Sequence, residues 1–237
     1  MKAMFLMDFA TTKKLLRRYL LLLLGMGGIA ALIMGSHPGI IPYFGELSAI
    51  SVAQALAAYD DQRDWNHFRL VLPLTRADVV LGRYAFLAAV AAAGTLIGVA
   101  VYLLVTLAGQ SVPAYAAIAM RSGGLDVVGL AWSVAVSLAL AFVTGGIMLP
   151  TFLNFGFANA TRYAMALLMM VSILAINPVI NVWVRPETAP PFLRGLASLA
   201  ASPESFLVAA GILAVAALAF YLASCATCLM ICRRLDF

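Results

Sequence analysis

The sequence predicts an all-α, polytopic membrane protein, and its composition and its long apolar stretches carry that prediction. Of its 237 residues, 64% are hydrophobic and only 11% are charged, whereas soluble domains average about 45–50% apolar and about 25% charged residues. Even well-packed soluble domains leave much of their surface in water, so a chain this apolar needs lipid as its solvent. Six of its stretches are long enough to cross about 30 Å of hydrocarbon as helices.

Six transmembrane helices are therefore expected within a single domain that covers residues 1–237. Pro42 falls in the first turn of the second helix, where backbone N–H groups have no helical partner, so it is compatible with that helix. Pro150 is expected to end the fourth helix, and Pro178 to kink or break the fifth. The predicted spans are 16–34, 39–59, 84–108, 125–149, 163–184 and 206–231.

The segment Met1–Lys14 mixes apolar and charged side chains before the first span. That mixture predicts a short N-terminal interfacial helix on the cytoplasmic surface. A cleaved signal peptide is the competing interpretation, with Leu20–Leu24 as its apolar core and small residues near Ala30. The basic residues come late in this stretch and no clear cleavage pattern follows, which favours the interfacial helix.

The distribution of basic residues predicts the orientation in the membrane. With a cytoplasmic N-terminus, all but Arg121, Arg185 and Arg194 of the 15 Lys and Arg residues lie on the cytoplasmic side. The positive-inside rule favours this arrangement over its inverse. Both termini are thus expected in the cytoplasm of a protein of the cell inner or plasma membrane. No basic stretch lies outside the membrane-flanking positions, which argues against nucleic acid as a partner.

The chain shows no residue pattern for covalent chemistry. It contains no G-x-x-x-x-G-K-[ST] loop, so it cannot bind ATP by that mechanism itself. The only histidines, His37 and His67, are predicted on opposite sides of the membrane. Cys225, Cys228 and Cys232 follow one helix face, but no further Cys or His completes a metal site, so helix packing is their expected role. Catalytic, cofactor-binding and metal-binding residues are all expected to be absent, and the chain is not expected to be an enzyme.

Glycines inside the predicted spans are interpreted as packing positions. Gly94 and Gly98 have the small-x-x-x-small spacing that lets helix backbones approach each other. The run Gly25-Met26-Gly27-Gly28 resembles a dinucleotide-binding turn only superficially, because it lies in a span with no strand before it.

Glu46 is the one acidic residue expected within the membrane. Ionisable residues at such positions are costly and indicate function by default. Glu46, with Tyr43 and Phe44, is therefore a candidate for lining a substrate pathway. The alternative is structural: the second helix begins later, which leaves Glu46 at the interface or hydrogen-bonded to a neighbouring helix.

The cytoplasmic segment between the second and third spans is the most informative part of the sequence. Asp61, Trp65, Phe68 and Leu72 recur at helical spacing and predict a short amphipathic helix with a narrow apolar stripe, which Pro73 ends. Such a helix is not needed by the membrane core, so it is expected to contact a partner.

A second helix start is predicted directly after Pro73. Thr75 can cap it, and Asp78 follows three residues later, where a carboxylate favours the positive end of the helix dipole.

These features resemble the permease subunits of type-two ATP-binding-cassette (ABC) exporters, particularly their small six-span bacterial branch. Members carry an acidic pair after the second span, then an aromatic residue, an L-P-[hydrophobic]-[S/T]-R motif, and a K/R-Y pair opening the third span. The matching positions are Asp60-Asp61, Trp65, Leu72-Pro73-Leu74-Thr75-Arg76 and Arg83-Tyr84.

Two further stretches fit the same family. Asp8 followed by Lys13-Lys14 matches its opening interfacial helix. The stretch Pro150–Arg162 matches the loop between the fourth and fifth spans, although Asn154 stands where a basic residue is common.

The resemblance implies a permease subunit that forms the substrate pathway as a dimer, with a second copy or a related permease. Separate cytoplasmic ATPase subunits would bind ATP and Mg and drive it, with a peptide, a lipid or a hydrophobic drug as cargo. The alternative is a membrane scaffold or assembly protein that recruits a non-ATPase partner through the same helix. The residues expected to couple to the ATPase are Asp60, Asp61, Trp65, Phe68, Leu72, Pro73 and Arg76.

Overall fold

Five α-helices and one short 3-10 turn make up the part of the chain that the structure, a computed structural model, describes. That part comprises residues 2–34, 38–62, 75–111, 125–152, 161 and 203–234. The elements are α1 (Lys2–Met34), the 3-10 turn Pro38–Ile40, α2 (Ile41–Gln62), α3 (Arg76–Ser111), α4 (Val127–Phe152) and α5 (Pro203–Arg234).

Four of these helices are long and apolar enough to cross a membrane, and they correspond to the second, third, fourth and sixth predicted spans. The predicted first span forms the later part of α1. The predicted fifth span, 163–184, lies outside the described residues. The membrane-crossing stretches are Pro38–Asp60, Ala77–Ser111, Val127–Phe152 and Glu204–Ile231. The fold is thus an α-helical, multi-pass one, while the count of six spans stays a prediction.

The N-terminal segment differs from its prediction. α1 is one continuous helix of 33 residues, so no separate interfacial helix precedes the span. Met4, Asp8 and Thr12, one turn apart, are all buried, and the ring of Phe5 packs edge-on against Phe86 of α3. The three buried side chains follow the helical period and pack against the other helices. The chain therefore continues as one helix instead of bending onto the membrane surface.

α2 and α3 form an antiparallel pair whose backbones approach closely through glycines. A Cβ atom added at Gly94 would lie 2.7 Å from the carbonyl oxygen of Phe44, and one at Gly98 would lie 3.1 Å from Cα of Ile41. Both contacts are with backbone atoms, which cannot move aside as a flexible side chain can. The predicted packing role of Gly94 and Gly98 is confirmed.

The start of α3 is set by the predicted cap. The Thr75 hydroxyl accepts a hydrogen bond from the Asp78 backbone N–H at 3.2 Å and donates one to Asp78 Oδ2 at 2.6 Å. The first free N–H groups of a helix need such partners. As a result α3 begins at Arg76, eight residues before the predicted span.

α4 continues past Pro150, which was expected to end it. Proline has no N–H, so the carbonyl of Gly146, four residues earlier, loses its helical partner. Ser224 of α5 supplies the missing donor: its hydroxyl lies 2.5 Å from the Gly146 oxygen. The neighbouring helix thus satisfies the freed carbonyl, and α4 extends to Phe152.

The main core lies where α2, α3, α4 and α5 meet, and α1 covers one side of it. The ring of Tyr84 of α3 packs at 55° to that of Tyr221 of α5, with ring centroids 4.9 Å apart, and the Tyr221 hydroxyl donates to the Tyr84 carbonyl at 2.7 Å. Cys225 and Cys228 are buried in this core, and Cys228 Sγ accepts a hydrogen bond from the Tyr84 hydroxyl at 3.4 Å, in keeping with the packing role predicted for these two residues.

Candidate functional site

A buried cluster of three charged side chains joins α1, α2 and α3. Arg83 of α3 forms a two-pronged ion pair with Asp60 of α2, in which Nη1 lies 2.6 Å from Oδ2 and Nη2 donates to Oδ1 at 2.7 Å. Asp8 of α1 approaches from the other side, with its Oδ2 4.0 Å from Arg83 Nε. We call Asp8, Asp60 and Arg83 the charge cluster.

These charged side chains are largely buried, so each needs a partner of opposite charge. The side chains of Arg83 and Asp8 are 8% and 5% exposed, and that of Asp60 is 21% exposed. A guanidinium withdrawn from water needs a partner that accepts from it, and a two-pronged carboxylate is the best match to its planar shape. Asp8 adds a second negative charge at ion-pair distance but beyond hydrogen-bonding distance. The cluster therefore fixes the relative position of three helices through one cation.

The charge cluster lies where α2 ends and α3 begins. Asp60 lies two residues before the end of α2, and Arg83 lies two turns into α3. The ion pair therefore closes both ends of the connection that contains residues 63–74.

The whole chain was compared with known proteins. A family model described as ABC-2 family transporter protein matches residues 3–233. The chain belongs to the ABC-2 transporter family. No curated protein and no solved structure matches it.

Membership of the ABC-2 family confirms the resemblance found in the sequence motifs. The chain is a multi-pass membrane component of an ABC transporter, and the family match supports its assignment as a permease subunit. Association with a cytoplasmic ATPase is a general property of ABC-2 permeases. Within the described ranges, no group of three His, Cys, Asp or Glu side chains could hold a metal ion.

Of the residues expected to couple this permease to an ATPase, the structure places one in a defined contact. Asp60 belongs to the charge cluster. Asp61 lies in the last turn of α2, and Arg76 is the first residue of α3. Their coupling role stays a prediction. Trp65, Phe68, Leu72 and Pro73 lie outside the described residues.

The three candidates for the substrate pathway do not share one environment. Phe44 is 3% exposed and packs in a small core with Leu23 and Val101. Tyr43 is 61% exposed, and Glu46, one turn further along α2, is half-buried. Because α2 begins at Ile41, Glu46 lies in its second turn rather than before the helix. The pathway role of all three stays a prediction.

The partnership within the charge cluster was not predicted from the sequence. In the sequence, Arg83 and Asp8 are positions of the family motif, and Asp60 is a predicted contact with the ATPase. The available signal was Arg83 itself, a cation near the start of a long apolar stretch. Ionisable residues there pair with one another or with backbone carbonyls. Several carboxylates of the predicted cytoplasmic segments could have met that need, and the sequence does not say which ones are near.

Proposed function

We propose that this chain is the permease subunit of an ABC exporter and forms the substrate pathway as a dimer. The observation that supports the proposal is the charge cluster at the base of the 63–74 connection, in a chain of the ABC-2 family. ATP and Mg bind on separate cytoplasmic subunits, and both termini lie in the cytoplasm of the cell inner or plasma membrane.

The charge cluster suggests how movement of an ATPase reaches the spans. α2 and α3 are fastened by Asp60 and Arg83 at one end and by the contacts of Gly94 and Gly98 further along. A pair of helices fixed at two levels moves as one body. Nucleotide that binds one conformation of the ATPase pair more tightly shifts the population of both partners. The α2–α3 pair then carries that shift across the membrane.

The pathway itself is proposed to lie between two permeases, identical or related. Tyr43 and Glu46 are suited to line it because they lie one turn apart on α2 and neither is buried. A peptide, a lipid or a hydrophobic drug is the proposed cargo.

The test of coupling uses Phe68→Asp. Phe68 belongs to the predicted apolar stripe between the second and third spans, and a charge there is expensive wherever the stripe is buried against a partner. We expect a normally inserted protein that either loses its ATPase or keeps it while hydrolysis and transport are uncoupled. Co-purification of a P-loop ATPase, ATP hydrolysis and transport in vesicles are the three measurements.

The matched control is Leu103→Ile in α3, which conserves volume and should leave coupling intact. Normal transport by Phe68→Asp with its ATPase bound would show that this stripe is not the coupling contact. Stoichiometric co-purification of a partner without a P-loop would instead favour a scaffold function.

A further inference from the structure

Four basic residues form one face of α1. Lys13, Lys14, Arg17 and Arg18 occur at i, i+1, i+4 and i+5, which places them within an arc of about 140° at 3.6 residues per turn. All four side chains are exposed. None of the four has an ion-pair or hydrogen-bond partner within the ranges that the structure describes. We call these four residues the basic face.

The basic face points away from the helices against which α1 packs. Met4, Asp8, Thr12 and Leu23 are the buried side chains of α1. On a helical wheel they cluster around the direction opposite to the basic face, given about 100° per residue. The basic face is therefore the outer surface of this helix.

Two contacts fix the depth of the basic face. Asp8 lies beside the Asp60–Arg83 pair, and Gly27 lies against the ring of Phe44. Between these levels α1 advances 19 residues, or about 28 Å, and α2 returns 16 residues, or about 24 Å. The two helices thus run side by side over the same thickness, and that thickness lies within the membrane-crossing stretch Pro38–Asp60.

The basic face consequently lies beside the Asp60 end of this membrane-crossing stretch. Lys13 is about 7.5 Å and Arg18 about 15 Å from the level of Asp8, measured along the axis towards Phe44. Lysine and arginine can reach back towards the interface with their long side chains. Arg17 and Arg18 begin further along the helix than Lys13 and Lys14, and cations held in hydrocarbon are costly. An anion at the interface would stabilise them.

A second copy of this chain does not meet that need. In a dimer whose two-fold axis passes through the basic face, the basic face would oppose another basic face. The anion that a membrane offers next to the end of a membrane-crossing helix is the phosphate of a phospholipid headgroup at the interface. Clusters of four or more Lys and Arg residues on a membrane-proximal helix attract anionic lipids.

We propose that the basic face of α1 binds the phosphate-bearing headgroup of an anionic phospholipid from the leaflet at the Arg83 end of the bundle. Lys13 and Lys14 engage the headgroup near its normal level. Arg17 and Arg18 draw it inward along the helix, with their planar forks suited to phosphate oxygens.

The test measures lipid binding to the full-length chain in neutral detergent. Phosphatidylglycerol and phosphatidylcholine are titrated in, and bound lipids are counted by native mass spectrometry. The wild-type chain should prefer phosphatidylglycerol. The Arg17→Gln, Arg18→Gln double variant should bind it about tenfold or more weakly, while its binding of phosphatidylcholine stays the same. Removing charge from this depth should not hinder insertion, so the variant is expected to fold.

Two control variants separate the site from charge in general. Lys2→Gln removes a cation from the same helix at about 9 Å on the other side of Asp8, beyond the basic face, and should keep the preference. Arg17→Lys with Arg18→Lys keeps the charge and should retain most of it. No ATPase is needed for this binding, so its outcome is independent of the proposed transport function.

Three results would overturn the proposal. One is equal binding of both lipids by the wild-type chain. Another is displacement of phosphatidylglycerol by inorganic phosphate at matched ionic strength, which would assign the site to a soluble anion. The third is efficient cross-linking between copies through Lys14→Cys, with the native cysteines replaced, because a second copy would then cover the basic face.

Discussion

Arg83 and Asp60 form a two-pronged ion pair, and its effect on stability depends on how it is broken. Withdrawing both charges from water costs about as much as their attraction returns, so the intact pair adds little net stability. Removing Asp60 alone is different, because Arg83 stays buried with only the more distant Asp8 as its counter-ion. The pair is best understood as fixing which residues of α2 and α3 lie side by side.

Asp60→Asn should therefore destabilise the protein by about 1.5–3 kcal/mol, because Arg83 loses its two-pronged partner and keeps only Asp8, 4.0 Å away. Adding Arg83→Met together with Asp8→Asn should recover part of that loss, because the cluster then holds no buried charge. Thermal or denaturant unfolding in detergent measures both variants. Asp126→Asn serves as control, because Asp126 is an exposed cap at the start of α4. An Asp60→Asn protein as stable as this control would contradict the importance given to the charge cluster.

Ser224 has an equally specific task at the residue scale. Its hydroxyl donates to the Gly146 carbonyl that Pro150 leaves without a helical donor. Ser224→Ala should cost about 1–3 kcal/mol, which is the penalty for an unsatisfied buried acceptor. Thr227→Ala is the matched control, since the Thr227 hydroxyl only donates to its own helix at Ala223 and is exposed. Equal unfolding temperatures for the two variants would mean that another donor reaches Gly146.

The polar contacts that the sequence predicted are the local ones. Thr75 and Asp78 are three residues apart, so a propensity rule contains both partners and the cap could be foreseen. Asp60 and Arg83 are 23 positions apart, and Ser224 and Gly146 are 78 apart. No local rule pairs residues at such separations, because the packing of whole helices brings them together.

At the scale of elements, the approach of α2 to α3 depends on the absence of side chains at the crossing. A Cβ at Gly94 would lie 2.6 Å from the Ser48 hydroxyl oxygen as well as close to the Phe44 carbonyl. Ser48 itself is held by a 2.6 Å hydrogen bond to that carbonyl. A methyl group at Gly94 would thus disturb both the backbone contact and this bond.

Gly94→Ala should destabilise the protein by about 1–3 kcal/mol, as overpacking of a tight contact does. Gly211→Ala is the same change on α5, where nothing lies within 4 Å of the added Cβ. There the lower backbone entropy of alanine should stabilise the helix by about 0.5–1 kcal/mol. Unfolding temperatures of both variants in one detergent provide the measurement. Equal shifts for the two variants would show that α2 and α3 are not in close contact.

The sequence predicted that these helices exist more accurately than it predicted the residues at which each begins and ends. Apolar length identified four spans because each must cross the same thickness of lipid. It did not predict that α1 is continuous, since the burial of Asp8 and Thr12 depends on helices far along the chain. It also placed the end of α4 at Pro150, where Ser224 compensates for the missing N–H.

At the scale of the whole molecule, the described helices leave much apolar surface uncovered. Only 17% of the apolar 18-residue stretch of α5 is buried, whereas 56% of the corresponding stretch of α2 is buried. α2 is therefore the central helix of this arrangement, and α5 presents most of its surface to its surroundings. Lipid suits such a surface in a multi-pass protein.

The orientation of the whole chain is the last prediction, and it rests on the uneven placement of basic residues. In a chain whose three cysteines are replaced, single cysteines at Gln62 and Arg234 should react only with membrane-permeant reagents in intact cells. Gln62 ends α2 and Arg234 ends α5, so both report the side of the charge cluster. Cysteines at Ser122 and Thr188, in predicted external loops, should react with impermeant reagents. Protection of Ser122→Cys in intact cells, with labelling restored in inverted vesicles, would disprove the proposed arrangement of spans, because an even number of crossings would then separate it from the N-terminus.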